Sequence, residues 1–257
     1  MPGLKAFVKG SMYNMDKINT KTAEPRAADI IVAEELWKIY RLGKIEYPAL
    51  RGLSITVKRG EFIALVGPSG SGKSTLLNLF GALDRPTKGT VIIDGADISR
   101  CNDNQLAELR NRKLGFVFQN FNLLTYMSAV DNVEVPLMAR NAGSSERRHK
   151  AEELLVMVGL GDKMKNKPSE LSGGQQQRVA VARAIANDPQ IIMADEPTGN
   201  LDSRSAEEII GILKTLNSQK GVSIVMVTHN LQLTSGCHRV LYLKDGQLEK
   251  EVIQSVL

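Results

Sequence analysis

Two cysteines in 257 residues, Cys101 and Cys237, are too few and too far apart for a disulfide framework or a thiolate metal site. Both read as ordinary thiols of a reducing compartment. No apolar run approaches the ~20 residues that span a bilayer, and the N-terminus lacks the apolar stretch of a secretory leader. The chain is therefore expected to be made and kept in the cytosol. Aromatic residues reach only 5%, and no basic segment is interleaved with them, so a surface of stacking rings for single strands is not expected, and neither is a nucleic-acid partner. Blocks of one charge are missing too: 33 Lys and Arg against 28 Asp and Glu leave +5, spread along the chain as a solvated surface. No internal repeat is found. What is present, 42% hydrophobic and 24% charged residues, is enough for a sizeable core in one large or two small domains.

Residues 1–29 carry scattered lysines, Pro25 and no sustained apolar period, and read as a poorly ordered tail whose Met12 and Met15 leave the start open. A small β region follows. Ile30 to Tyr40 is rich in β-branched and aromatic residues, Leu53 to Val57 alternates before a turn at Lys58-Arg59-Gly60, and Gly89 to Gly95 is a strand bracketed by glycines. Antiparallel pairing of these pieces is expected. Asp103 to Lys113 predicts a helix capped by Asn102 or Asp103, then Leu114 to Phe118 a buried strand ending at Gln119. A mostly helical stretch comes next, with a helix capped by Ser144 or Ser145 and stopped at Gly159, and a polar linker from Lys163 to Pro168. Another helix opens at Leu171 to Gln175 and runs to Asn187. The remainder alternates: strand 191–194, a helix with a Ser205…Glu208 capping box, strand 222–228, and a terminal hairpin turning at Lys244 to Gln247. Strands alternating with helices predict a parallel α/β sheet.

The chemistry concentrates in three places. Gly67-Pro68-Ser69-Gly70-Ser71-Gly72-Lys73-Ser74-Thr75 follows the apolar run Phe62 to Val66 and leads into a helix, the context that a P-loop requires. Its glycines let backbone N–H groups curl round phosphate oxygens at a helix N-terminus, Lys73 reaches the terminal phosphates and the Ser74 hydroxyl holds Mg²⁺. Asp195 and Glu196 close the strand at 191–194, where open α/β sheets present residues to ligand. There Asp195 can serve the metal while Glu196 orients the attacking water and accepts its proton. Leu171-Ser172-Gly173-Gly174-Gln175 is a second anion-seeking element, a hydroxyl and two bare glycines at the positive end of a helix. An N-cap explains Ser172 without a ligand, but not two successive glycines.

That LSGGQ run, from about residue 30 onward and together with the motifs around it, resembles the nucleotide-binding subunit of ABC transporters. In the family's order, Gln119 stands at the Q-loop, Gly199 to Asp202 at the D-loop, His229 at the switch histidine, and Tyr40 at the aromatic that stacks on adenine. The stretches Glu196 to Asp202 and Gly115 to Leu123 are similar to the branch of lipoprotein-release, macrolide-export and cell-division ATPases. Asn120 departs slightly from it and receives no assignment. The resemblance implies an ABC ATPase fold: a P-loop NTPase core with a parallel sheet, an antiparallel β subdomain and a helical insertion at about 120–172, all within a nucleotide-binding domain at 30–257. It implies an ATP-driven homodimer in which Ser172, Gly173, Gly174 and Gln175 of one copy close over the P-loop of another, with Asp202 at the nucleotide. Ser74, Gln119 and Asp195 then hold Mg²⁺, while Glu196, His229, Lys73 and Gln119 act in hydrolysis. It further implies a peripheral position on the cytoplasmic side of the membrane. An integral permease would dock at about Gln119 to Lys167, and substitutions over 120–127 would uncouple transport while sparing basal hydrolysis. Cargo export or extraction follows the branch. The alternatives are a regulatory scaffold of the cell-division type and, with less support, an ATPase of nucleic acid or ribosomes, for which the interval between P-loop and signature leaves no room for a long coiled coil.

Overall fold

The computed structural model describes residues 28–140 and 143–254. The tail read at 1–29 and the two candidate start methionines lie outside them, except for Ala28 and Asp29, and Asp29 already opens the first strand. The chain forms β1 (Asp29–Leu42), β2 (Ile45–Lys58), β3 (Phe62–Val66), α1 (Lys73–Phe80), β4 (Lys88–Ile93), β5 (Ala96–Asp97), α2 (Asp103–Lys113) and β6 (Leu114–Phe118). It continues through α3 (Ala129–Glu134), α4 (Ser144–Met157), α5 (Gly173–Ala184), β7 (Ile191–Asp195), α6 (Ser203–Lys220), β8 (Ser223–Val227), β9 (Arg239–Lys244) and β10 (Gln247–Ile253).

Two sheets result. The first is antiparallel, in the order β2-β1-β4-β5. The second runs β10-β9-β3-β8-β7-β6, parallel except for the β9–β10 hairpin at its edge. Every residue of β3 and β8 is buried because the parallel sheet is covered on both faces. The period-two alternation decides which core each side chain joins. Phe62, Ala64, Val66, Ile192, Ala194, Ile224 and Met226 pack with α3 to α6, while Ile63, Leu65, Met193, Val225 and Val227 pack with α1, α2 and the antiparallel sheet.

Several ends differ from their sequence reading, for local reasons. The second strand begins at Ile45 rather than Leu53 and carries Pro48, which a strand at the sheet edge can tolerate. Strand β4 stops at Ile93, because Asp94 (φ +47°) and Gly95 (φ +81°) form the turn into β5. Helix α4 is capped by Gly143 with no side-chain bond, not by Ser144 or Ser145. Helix α5 ends at Ala184 instead of Asn187. Helix α6 is capped by Asp202, whose carboxylate accepts from Ser205 N at 3.0 Å, so the Ser205…Glu208 box does not form the start. The Asn102 cap of α2 is present, with Gln105 completing a reciprocal box.

Candidate nucleotide-binding site

Four parallel strands end on one row: Leu65 pairs with Val227, Val227 with Asp195, and Asp195 with Phe118. The next residues along each strand therefore emerge together, and they include the glycine loop after β3, Gln119 after β6, Glu196 after β7 and His229 after β8. This register is what makes four segments, remote in sequence, one site.

The loop from Gly67 to Gly72 is wedged between the two sheets. A Cβ on Gly67 would lie 2.1 Å from the Leu243 carbonyl oxygen, and one on Gly72 would lie 2.7 Å from that of Ala49, so neither position admits a side chain. A Cβ on Gly246, in the β9–β10 turn, would lie 2.7 Å from the same Ala49 oxygen, and the Gly246 N–H donates to Ser71 O. Lys73 Nζ donates to the carbonyls of Gly67 and Pro68, both at 2.8 Å. Burial holds the Lys73 ammonium below its ordinary pKa, against the pull of Glu196 and Asp195. Asp195 is shifted the other way: burial and the neighbouring Glu196 charge raise it, and Lys73 opposes. Ser74 is exposed on the first turn of α1.

Glu196 occupies the left-handed region (φ +47°), a strained conformation for a non-glycine residue, held by a bond from its N–H to Val227 O at 3.0 Å and by Gly199 N–H on its carbonyl. Its Oε2 lies 2.7 Å from His229 Nδ1. An ionised carboxylate can only accept, so the imidazole Nδ1–H donates and Nε2 is left toward solvent. This pair can orient a water and take its proton.

Ser172 caps α5 in a reciprocal box: its hydroxyl accepts from Gln175 N at 3.3 Å, and Gln175 Oε1 accepts from Ser172 N at 2.9 Å. Gly174 has an intramolecular reason that the sequence did not disclose, since a Cβ there would lie 2.7 Å from Ser205 Oγ. A Cβ on Gly173 would meet nothing closer than 3.6 Å, so its lack of a side chain is not required by this chain's own packing. Asp202 is engaged as a cap, with Oδ1 accepting from Ser205 N and Oδ2 from Ser205 Oγ at 2.7 Å. Those bonds keep its carboxyl below the ordinary carboxylate range. Tyr40 Oη donates to Asp84 Oδ2 at 3.1 Å, and Lys38 Nζ stands 5.0 Å over its ring. Burial raises its phenol pKa; Thr75, the last residue of the glycine-loop motif, is a polar neighbour acting the other way.

Three residues that received no role of their own from the sequence complete the surroundings. Asn200 Nδ2 donates to Gln119 O and to Asn120 Oδ1, and its Oδ1 accepts from Gln119 Nε2 at 3.3 Å. Gln177, fully buried on α5, donates to the carbonyls of Phe118 and Pro197 and so ties β6 to the segment after Glu196. Asn120 had a signal, as the one departure from its branch, and Asn200 had one as part of the D-loop stretch; Gln177 had none, because its partners are brought close only by folding. Beside Gln119, a groove of about 480 Å³ is lined by Leu83, Arg110, Phe116, Phe118, Asn122 and Arg183.

Ser74, Gln119 and Asp195 offer a hydroxyl, an amide oxygen and a carboxylate, the all-oxygen set that a small hard cation takes along with phosphate oxygens. Among the described residues, no group of three or more His, Cys, Asp and Glu side chains could hold a metal ion, so protein carboxylates alone do not make a metal cage here. Nor is any described helix long and apolar enough to cross a membrane.

Residues 50–199 match the family model described as ABC transporter. The chain is 48% identical over 225 residues to the lipoprotein-releasing system ATP-binding protein LolD of Aquifex aeolicus, covering 88% of this chain and 98% of that one. It is 51% identical over 225 residues to the macrolide export ATP-binding/permease protein MacB of Syntrophobacter fumaroxidans, covering 87% of this chain and 32% of that longer one. Among solved structures, the dimeric post-hydrolysis state of the ATP-binding cassette MJ0796 of Methanocaldococcus jannaschii, bound to ADP and Pi, superposes with a TM-score of 0.82 at 44% identity, over 88% of this chain and 100% of that one. With the glycine loop, the strand-end acids and the LSGGQ helix on one such scaffold, the chain belongs to the ABC transporter family of ATP-binding proteins.

Proposed function

We propose that this chain binds ATP with Mg²⁺, hydrolyses it between two cassettes arranged head to tail, and thereby drives a separate integral membrane permease. The observation that carries the reading is the gathering of Lys73, Asp195, Glu196 and His229 at and just beyond one row of the parallel sheet.

The backbone N–H groups of Gly67 to Thr75 wrap the phosphates, and Tyr40 packs on adenine through the ring face away from Lys38. Lys73 exchanges the carbonyls of Gly67 and Pro68 for phosphate oxygens. Ser74, Gln119 and Asp195 hold Mg²⁺, which when bound supplies positive charge to the phosphates. Glu196 takes the proton of the attacking water, and His229 fixes the carboxylate in place. Ser172 bonds within its own helix cap, so the anion-binding end of α5 is offered to a second molecule: Ser172, Gly173, Gly174 and Gln175 meet the nucleotide held by the partner copy. Two positive helix ends repel each other until a triphosphate lies between them, and hydrolysis removes that bridge. Asp202 serves this contact through the helix it caps.

In this reading residues 30–257 are one nucleotide-binding domain, with the helices between β6 and α5 as its insertion. The permease docks at the groove beside Gln119, and the protein sits on the cytoplasmic face of the membrane. Export or extraction is supported by the names of the lipoprotein-releasing and macrolide-export relatives. Sedimentation of the Glu196→Gln variant tests the dimer: Mg-ATP should convert it from monomer to dimer, and an unchanged sedimentation coefficient would rule out the sandwich. Affinity capture from detergent-solubilised membranes should recover a multi-span permease, and cargo-stimulated hydrolysis in vesicles separates transport from a purely regulatory role.

A further inference from the structure

Gln119 is the least determined member of the site, because a side-chain amide presents an oxygen in one orientation and an NH₂ in the other, and only the oxygen can face a cation. Its surroundings remove that freedom. The Gln119 backbone carbonyl cannot flip, and it accepts from Asn200 Nδ2 at 3.1 Å. Asn120 Oδ1 accepts from the same NH₂ at 2.9 Å. With its NH₂ held by two acceptors, Asn200 must aim Oδ1 the other way, and Gln119 Nε2 donates to it at 3.3 Å. Turning Gln119 over would set its Oε1 against Asn200 Oδ1, two acceptors with no proton between them. Gly199 leaves room for this arrangement: a Cβ there would lie 2.6 Å from Gln119 Nε2.

We infer that Asn200 and Asn120 are positioning residues that fix which end of the Gln119 amide faces the nucleotide, presenting Oε1 to the metal ion of Mg-ATP. The inference rests on the proposed metal role of Gln119 and adds how its orientation is set. It also moves Asn120 out of the docking loop, which then begins at Phe121, and gives that residue the function its sequence position did not reveal.

The test is the metal-dependent gain in affinity for a fluorescent ATP analogue, measured as the ratio of Kd in EDTA to Kd in Mg²⁺, with the full chain in a Glu196→Gln background that prevents turnover. Asn200→Leu should cut the ratio about five- to tenfold and Asn120→Leu about threefold, with affinity in EDTA unchanged. Asn120→Asp, which keeps the acceptor, should retain the full ratio. Asn200→Leu should add nothing once Gln119→Ala is present. Gly199→Ala removes neither asparagine but displaces the amide, and should reproduce the Asn200→Leu loss. A ratio that Gln119→Ala lowers but Asn200→Leu and Gly199→Ala leave untouched would overturn the positioning role alone. A ratio untouched by Gln119→Ala would remove the metal role of Gln119 and this inference with it.

Discussion

His229 Nδ1 lies 2.7 Å from Glu196 Oε2, a bond between the ends of neighbouring parallel strands. Glu196 is held at a positive φ by the N–H bond to Val227 O, on the strand that leads to His229, so the histidine and the backbone strain act on the same carboxylate.

Glu196→Gln should lower kcat by about 10²- to 10⁴-fold, the range for a lost general base, and leave the Kd for ATP within about twofold. His229→Ala should cost less, and the double variant should be no slower than Glu196→Gln alone, because the histidine acts through the glutamate. Phosphate release under saturating Mg-ATP measures both. Wild-type turnover in Glu196→Gln would withdraw the base assignment.

The loop that follows Asn120 hangs on one buried side chain. Asn132 Oδ1 accepts from Leu124 N at 2.7 Å, and its Nδ2 donates to the carbonyls of Leu124, Met127 and Ser128. Asn132→Leu takes the side-chain partner from Leu124 N–H and Met127 O, while the Leu124 and Ser128 carbonyls keep backbone donors, at about 3 kcal/mol, which for a chain of this size lowers Tm by about 6–12 °C. Thermal unfolding checks the size, and limited proteolysis should place the new cleavages between 121 and 128.

Asp94, in the turn after β4, pairs with Arg59 between β2 and β3 at 2.7 Å and with Lys113 at the end of α2 at 2.8 Å. Burial alone would raise its carboxyl pKa, but bonds from Lys113 and Arg59 and their charges outweigh it and leave the folded value below the ordinary one. A depressed carboxylate contributes stability that is fully present above its unfolded value of about 3.9, and loses it as pH falls through the folded value. Asp94→Asn, which keeps the φ +47° turn accessible, should lower Tm by about 2–4 °C at pH 7. Urea unfolding of both proteins as a function of pH should find the gap closing only below about pH 4.

What could be read from the chain alone was whatever two-sided burial or fixed spacing writes into it. Residues 62–66, 191–194 and 224–227 are apolar on both faces because both faces are covered, and the glycine loop and LSGGQ are contiguous. The first half of β2 was not legible, because Pro48 argues against a strand until its edge position is known. Helix α3 is only six residues long and contains Asp131 and Asn132, too short and polar for a period to emerge. Caps were ambiguous wherever several polar residues adjoin, as from Asp202 to Ser205. The amide contacts among Gln119, Asn120 and Asn200 join segments far apart in sequence, and only the strand register brings them together.

Gly246 sits in a hairpin turn that holds none of the proposed nucleotide contacts, yet a side chain there would strike the same Ala49 oxygen as one on Gly72, and its N–H bonds Ser71 O. Its φ of +79° adds a second obstacle to any side chain. In a genetic screen, alleles at this C-terminal codon should therefore group with those of the phosphate loop, and complementation would misassign them if ranked by place along the gene. The last hairpin acts as a doorstop for the glycine loop.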